Sequence, residues 1–392
     1  MTRGYYGWLA GASLSAFGDT ALFFALGWAA SGIGPHAAGL VLTAYTLPRA
    51  VLLILGGVLG DRHGPRQVLL ASHCLLAVLT FALAYATHLT GTTVALLLAT
   101  AAIIGTVDAF ALPAAGSFPR LFAGDDELPR AMALKTSTQQ LVTLVAGPAG
   151  GALVAFAGLV GALVVDGFTF AVAFAVLLAI RPPNQPPEPQ AQRSVLAEAM
   201  DGLRLAWSDR VLRALLLTVA LAGASVLPVT SLCVPLLARA HHWAPSQAGV
   251  IVGATVAGGL AVALLVARVG TYVSLGAGAA AGCLVAAAGL CGLAVAPSVP
   301  LAVGSAVVQG VGVGLFGAHL SPLFVASTPR SHLSRLQSVL VLMQTLPLIV
   351  SNNLLGAVAG VSPRLAVLLC AAGLAGAGAC SATLRTARTA VI

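Results

Sequence analysis

The stretch VLRALLLTVALAGASVLPVTSLCVPLL, Val211 to Leu237, carries one charged side chain, Arg213, in twenty-seven positions. It shows no alternation of polar and apolar residues. A strand of a membrane barrel would alternate, because one of its faces meets the lumen and the other meets lipid. An unbroken apolar run of this length suits a helix, which satisfies its own backbone groups in hydrocarbon and needs about 20 residues to cross it. The rest of the chain repeats the pattern. Charged residues make up 8% of the 392 positions, hydrophobic residues make up 59%, and the mean hydropathy is +0.99. A soluble domain carries roughly 25% charged residues to wet its surface. Most of this surface must therefore face lipid.

Cutting at charges, polar turns and Pro/Gly clusters predicts twelve spans: 5–30, 37–60, 67–88, 93–117, 131–157, 160–180, 211–238, 246–267, 272–296, 299–325, 336–359 and 363–384. The fourth, fifth and tenth hold proline or glycine and are candidates for bending. The first carries Asp19 mid-run and exceeds the apolar core of a signal peptide, so it reads as a retained span. Sixteen basic residues fall on one side of this arrangement, two (Arg239 and Arg364) fall on the other, and Arg49 lies within a span. The positive-inside rule then places both termini in the cytoplasm. The net charge of +8 comes from these scattered single residues and does not point to nucleic acid.

The middle differs from the rest. Arg181 to Ser194 (RPPNQPPEPQAQRS) contains five prolines and cannot run as a helix. After it, Leu196, Met200, Leu203 and Trp207 recur at helical spacing, as in an amphipathic helix lying on a surface. The expected organisation is a six-helix bundle over 1–180, a cytoplasmic linker over 181–210 and a second six-helix bundle over 211–392. The bundles share a frame. At an offset of 205, Gly105 meets Gly310, Leu128 meets Leu333, Arg130 meets Arg335, Gln139 meets Gln344 and Gly151 meets Gly356. At an offset of 210, Ala38 to Val41 meets Ala248 to Ile251, and Gly60 meets Gly270. Such a duplication suits a two-bundle transporter with alternating access.

Between the second and third spans lies Gly57-Val-Leu-Gly-Asp61-Arg62-His-Gly64-Pro-Arg66. It resembles the major facilitator signature G-x-x-x-D-R-x-G-R-R/K, except that Gln67 replaces the last basic residue. The expected physics is a close helix approach at Gly57, a tight turn at Gly64, and pairing of Asp61 with arginines near helix ends. The resemblance implies a conformational latch at Asp61, Arg62 and Arg66. Phe17-Gly-Asp19, Leu47-Pro-Arg49 and Asp108-Ala-Phe-Ala-Leu-Pro113-Ala are similar to the enterobactin-exporter and macrolide-efflux branch of that family. So are Leu128 to Leu134, Gly147-Pro148-Ala-Gly-Gly151, Gly202-Leu-Arg204 and Val211-Leu-Arg213. That branch implies proton-coupled export of natural products across a bacterial cytoplasmic membrane. Two features depart from typical drug–proton antiporters: Asp108 stands where the fourth span would carry an arginine, and Gly151-Ala152 replaces paired glycines.

An ionisable group at the bilayer centre costs about 2.5–3.5 kcal/mol on insertion scales, so each invites a functional reading. Four are candidates for proton coupling or substrate binding: Asp19, Arg49, Asp108 and Asp166. Asp19 and Arg49 fall at similar depth on sequential antiparallel helices. They fit either a structural ion pair or a pair whose separation releases a proton. Asp108 has no evident partner in the sequence, which favours it as a proton or substrate site. Asp166 belongs near the outer end of its span, where it could reach water. The second half has no acidic residue inside a span; Gln309, His319, Gln344, Asn352 and Asn353 are its strong polar groups. His319, near the cytoplasmic end, suits a gate or a cap more than a proton carrier. Phe17, Phe110, Gln309, Gln344 and Asn352 are candidates to line a cavity.

The six cysteines form no CxxC pair and no ligand spacing, so neither disulfides nor a metal are expected. Nothing approximates a GxxxxGK[ST] loop, so no nucleotide or other cofactor is implied and an ion gradient is the expected drive. The expected partners are a small-molecule substrate, protons and the lipid bilayer, with the chain acting as a monomer. Import of a small solute on the same fold is the alternative. An intramembrane enzyme or scaffold is disfavoured, because Asp125-Asp126-Glu127, between Arg120 and Arg130, reads as a solvated loop.

Overall fold

The computed structural model describes residues 2–124, 126–180, 204, 207–269, 274–328 and 333–382. The proline-rich linker and most of the expected amphipathic helix lie outside the described residues. Twelve helices are labelled in chain order: α1 Arg3–Ile33, α2 Pro35–His63, α3 Pro65–Thr90, α4 Val94–Ser117, α5 Leu128–Ala179, α6 Arg210–Pro228, α7 Val234–Ala240, α8 Pro245–Val269, α9 Leu275–Val295, α10 Val299–Ser327, α11 Leu333–Val361 and α12 Pro363–Ala382.

Among the described residues, eleven helical stretches are long and apolar enough to cross a membrane. One of them, α5, has 52 residues and holds two crossings. At 1.5 Å per residue it would reach roughly 78 Å if straight, against a hydrocarbon core of about 30 Å. Gly158, at φ 62 and ψ −159, breaks it. That conformation favours glycine, and it divides the fifth crossing from the sixth where the sequence places their boundary. Pro35 and Pro65 open α2 and α3, where a missing N–H costs nothing. The Asp209 carboxylate caps α6 by accepting from the N–H groups of Val211 and Leu212 at 2.7 and 2.9 Å. A marked departure from α-helical geometry falls in the seventh crossing. There a π turn, Val229–Cys233, follows Pro228 and joins α6 to α7.

The chain divides into two compact units, Met1–Gln192 with Ala244–Gly249, and Arg193–Trp243 with Val250–Ile392. In the first, α1 and α3 pack on α5, and α2 packs on α4. In the second, α9 packs on α10 and α12, and α6 packs on α11 and α12. The two repeat frames reappear as equivalent contacts within each unit. Gly105 of α4 lies against the Tyr45 carbonyl of α2, and Gly310 of α10 lies against the Thr255 carbonyl of α8. Each unit also has a matching apolar cluster. Leu69, Phe118 and Ala131 belong to one; Ala279, Leu323 and Leu336, at offsets of 210, 205 and 205, belong to the other. The duplication therefore extends from residue identities to packing.

Basic side chains finish helix ends in the first unit. Pro119 has no N–H to give the Ala115 carbonyl four residues earlier, and Lys135 Nζ donates to that oxygen at 2.9 Å instead. Lys135 also lies 6.0 Å from the centre of the Trp8 ring. Tyr5 Oη donates to the Ala131 carbonyl at 2.5 Å, fixing the start of α1 to the start of α5.

Candidate functional site

The crossing of α2 and α4 builds a polar chain in the first unit. Because Gly105 meets the Tyr45 backbone without a side chain between, residues on the facing sides of α2 and α4 come into hydrogen-bond range. Tyr45 Oη donates to Asp108 Oδ2 at 2.7 Å. Arg49, four residues after Tyr45 and on the same helix face, donates from Nη1 to Tyr45 Oη at 3.0 Å. Its guanidinium carbon sits 5.6 Å from the centre of the Tyr45 ring. Phe23 of α1 packs its ring 5.0 Å from that of Tyr45. Tyr45, Arg49, Asp108 and Asp19 are all half-buried. The result is a directed relay, with guanidinium donating to phenol and phenol donating to carboxylate. Both bonds gain from the charge at their ends.

The structure adds the partner that the sequence does not show: Asp108 meets Tyr45, contributed by a helix distant in sequence. Of the two readings of Asp19 and Arg49, the structural ion pair is not formed among the described residues; Arg49 is tied instead to Asp108 through the Tyr45 hydroxyl. Sequence reasoning missed Tyr45. The available signal was its depth: a tyrosine about 15 Å into a span lies well inside the belt where interfacial tyrosines collect.

Asp166 differs from the expectation of an interfacial carboxylate. It is 0% exposed and lies against α1 at Gly18, where any Cβ would collide with Thr169 and crowd Asp166. The missing side chain at Gly18 makes the room into which Asp166 is packed, so its carboxyl cannot reach water along the protein surface.

Around the signature loop, Gly64 turns at φ 80, as a tight junction of α2 and α3 requires. The close helix approach belongs to Gly56, against the Ala109 carbonyl, and not to Gly57, beside which a Cβ would meet nothing within 4 Å. Arg66 reaches across to the end of α5. It donates from Nη2 to Leu177 and Leu178 at 2.9 and 3.3 Å, and from Nε to Ile180 at 3.3 Å. Carbonyls in a last helical turn lack partners within the helix and carry partial negative charge, so a guanidinium suits them. Arg66→Gln should lower the stability of the purified protein by about 1–2 kcal/mol, read as a fall in melting temperature in detergent. An unchanged melting temperature would mean that these bonds contribute nothing net. Arg62 is exposed, and the Asp61 side chain lies outside the described residues.

The second unit contributes a cavity of about 400 Å³ between α6, α10 and α11. Val219, Val226, Phe316 and Leu340 give it an apolar wall, while Ser321 and Gln344 are its polar side chains. Gln309 is 0% exposed and accepts from Thr255 Oγ1 at 3.3 Å, so it ties α10 to α8. Asn352 is buried. Phe17 is half-buried on α1, and Phe110 packs against the apolar cluster around Tyr5 and Phe118. His319 is buried, with Nδ1 2.8 Å from the Leu315 carbonyl and its ring against Gly278. Among the described residues, no three His, Cys, Asp or Glu side chains gather as a metal would require.

The family model of the Major Facilitator Superfamily matches residues 8–237. The chain belongs to that superfamily, and it is a membrane transporter of that type with the twelve-span fold. Among solved structures, the nucleoside transporter NupG aligns with a TM-score of 0.76 at 14% identity, over 98% of this chain and 100% of that one. The POT family transporter PepTSo gives 0.77 at 12% identity, covering 100% and 99% of the two chains. A bacterial homologue of the iron transporter ferroportin, in its inward-facing state, gives 0.72 at 16% identity, over 98% and 99%. At such identities the likeness is one of fold. No curated protein matches the chain.

Proposed function

We propose that this transporter exports a small amphipathic natural product or drug in exchange for protons. It would do so as a monomer in a bacterial cytoplasmic membrane, with both termini on the cytoplasmic side. The Arg49–Tyr45–Asp108 relay carries this reading. A proton arriving at Asp108 removes the charge that Tyr45 and Arg49 hold, and a cationic group on a substrate can compete for the same carboxylate. Proton and substrate then exclude one another, which is the condition for exchange. The half-buried position of the relay gives a solute access to it. The resemblance of the Phe17-Gly-Asp19 and Leu47-Pro-Arg49 stretches to macrolide and siderophore exporters supports the direction. In this reading the loop of Asp61, Arg62, Gly64 and Arg66 latches one of the alternating conformations.

Everted vesicles with an acid interior provide the test. Adding each member of a macrolide and siderophore panel should release protons for at least one compound, seen as recovery of a quenched weak-base dye. Solute uptake driven by external acid in right-side-out vesicles, with no release from everted ones, would establish import instead.

A further inference from the structure

The relay leaves one buried acid unused. Asp166 sits in the part of α5 after Gly158, roughly 10 Å along it, with none of its surface exposed. Its Oδ2 has no hydrogen-bond partner among the described residues. Its Oδ1 has a long contact with the Thr169 hydroxyl at 3.5 Å, and that hydroxyl makes its shorter bond, 2.8 Å, to the Asp166 carbonyl. A structural carboxylate in this chain looks different: exposed Asp209 accepts two backbone N–H groups. An unpaired carboxylate buried to this degree is far costlier than a neutral acid of the same shape. The packing around Asp166 accommodates the acid form.

Against this acid α1 presents the bare backbone of Gly18. The next residue on α1, Asp19, is half-buried. Three titratable or charged groups bear on the site from the helices around it: Asp19 on α1, Asp108 on α4, and Arg49 on α2, which acts through Asp19. His73 on α3 is buried with its ring 5.7 Å from that of Phe170, four residues after Asp166. No cation hydrogen-bonds Asp166 among the described residues.

We propose that Asp166 is a second proton-carrying carboxyl of this transporter, screened by α1 and exchanging its proton with Asp19 across Gly18. The proposal rests on the proton-coupled reading above and deepens it. Movement of α1 along α5 would open or close the passage at Gly18, so proton access to Asp166 would report the position of α1. The step is a simple proton transfer: Asp166 O–H gives its proton to the Asp19 carboxylate, and the reverse step restores it.

Infrared spectroscopy of the full-length protein, with isotope placed only in the aspartate carboxyls, tests this without any substrate. The expected spectrum holds a weakly hydrogen-bonded carboxylic acid band that disappears in Asp166→Asn. Asp166→Glu, which keeps an acid but removes the labelled group, should lose the same band, so the assignment survives if the amide variant does not fold. On transfer to heavy water the band should shift as its proton exchanges, and Asp19→Asn should slow that exchange by about a hundredfold, the scale of a positioned proton-transfer group. Absence of the band, or its survival in both Asp166 variants, overturns the proposal. So does an exchange rate indifferent to Asp19→Asn, which would mark Asp166 as a structural acid. Because no transport is measured, failure of the vesicle test with this band intact would sink the coupling reading while leaving Asp166 as a proton site.

Discussion

Asp108→Asn is expected to abolish proton-driven transport while leaving the protein folded. The substitution preserves shape and removes the charge on which Tyr45 and Arg49 converge. An amide oxygen can still accept from Tyr45, so the crossing of α2 and α4 should persist, and the melting temperature should move little. What disappears is the titration. Proteoliposomes carrying the variant should still exchange substrate downhill, with weaker binding of cationic substrates, yet show no proton release and no acceleration by a pH gradient. Tyr45→Phe is the companion. It keeps Asp108 ionisable but cuts its link to Arg49, at a cost of about 1.5–3 kcal/mol for a hydrogen bond to a charged group. Coupled transport should fall about ten- to a hundredfold, and combining the two changes should give no loss beyond that of Asp108→Asn, because both act on one chain of bonds. Wild-type proton flux in Asp108→Asn would remove this carboxylate from the mechanism. Additive losses in the double variant would show that Tyr45 works elsewhere.

The features that a sequence makes legible here are those that repeat along the chain. Twelve crossings followed from apolar runs separated by charges, and the break at Gly158 falls between the predicted fifth and sixth spans. The duplication was visible as residue pairs at fixed offsets. It reappears in the structure as Gly105 on Tyr45 and Gly310 on Thr255, a pairing that needs both offsets at once. The candidate site was legible as a set of buried charges, and less so as an arrangement. Partners across helices depend on rotation about each axis, and a step of one residue turns a side chain by about 100°. That step separates Gly56, which touches α4, from Gly57, where a Cβ would meet nothing within 4 Å among the described residues. It also decides whether Asp166 points to the surface or into α1. Depth can be counted from span ends, but facing cannot, so the burial of Asp166 against α1 and the role of Tyr45 are not legible in the sequence.

The second large effect lies in the two equivalent crossings. Gly105→Ala and Gly310→Ala should each destabilise the protein by about 1–3 kcal/mol, the range for forcing atoms into packed space, and valine at either position should prevent folding. The added Cβ at Gly105 would meet the Tyr45 carbonyl, and at Gly310 the Thr255 carbonyl. A backbone oxygen in a helix cannot rotate away as a side chain can, so the helices must separate. Gly57 and Gly304 are the controls, because a Cβ at either finds open space. Alanine there should raise stability by about 0.5–1 kcal/mol through helix propensity alone. Melting curves of the four alanine variants in one detergent give the comparison, and equal shifts at all four would refute the close-crossing account. Transport separates the two crossings further. Separation of α2 from α4 at Gly105 lengthens the Tyr45–Asp108 bond, so a Gly105→Ala protein that folds should still lose proton coupling. Gly310→Ala disturbs Thr255 and Gln309 in the second unit, where no acid is present inside a span. It should therefore slow transport without uncoupling it. The same geometric injury, placed at equivalent points of the duplicated fold, would then have different consequences because only the first copy carries the charged relay.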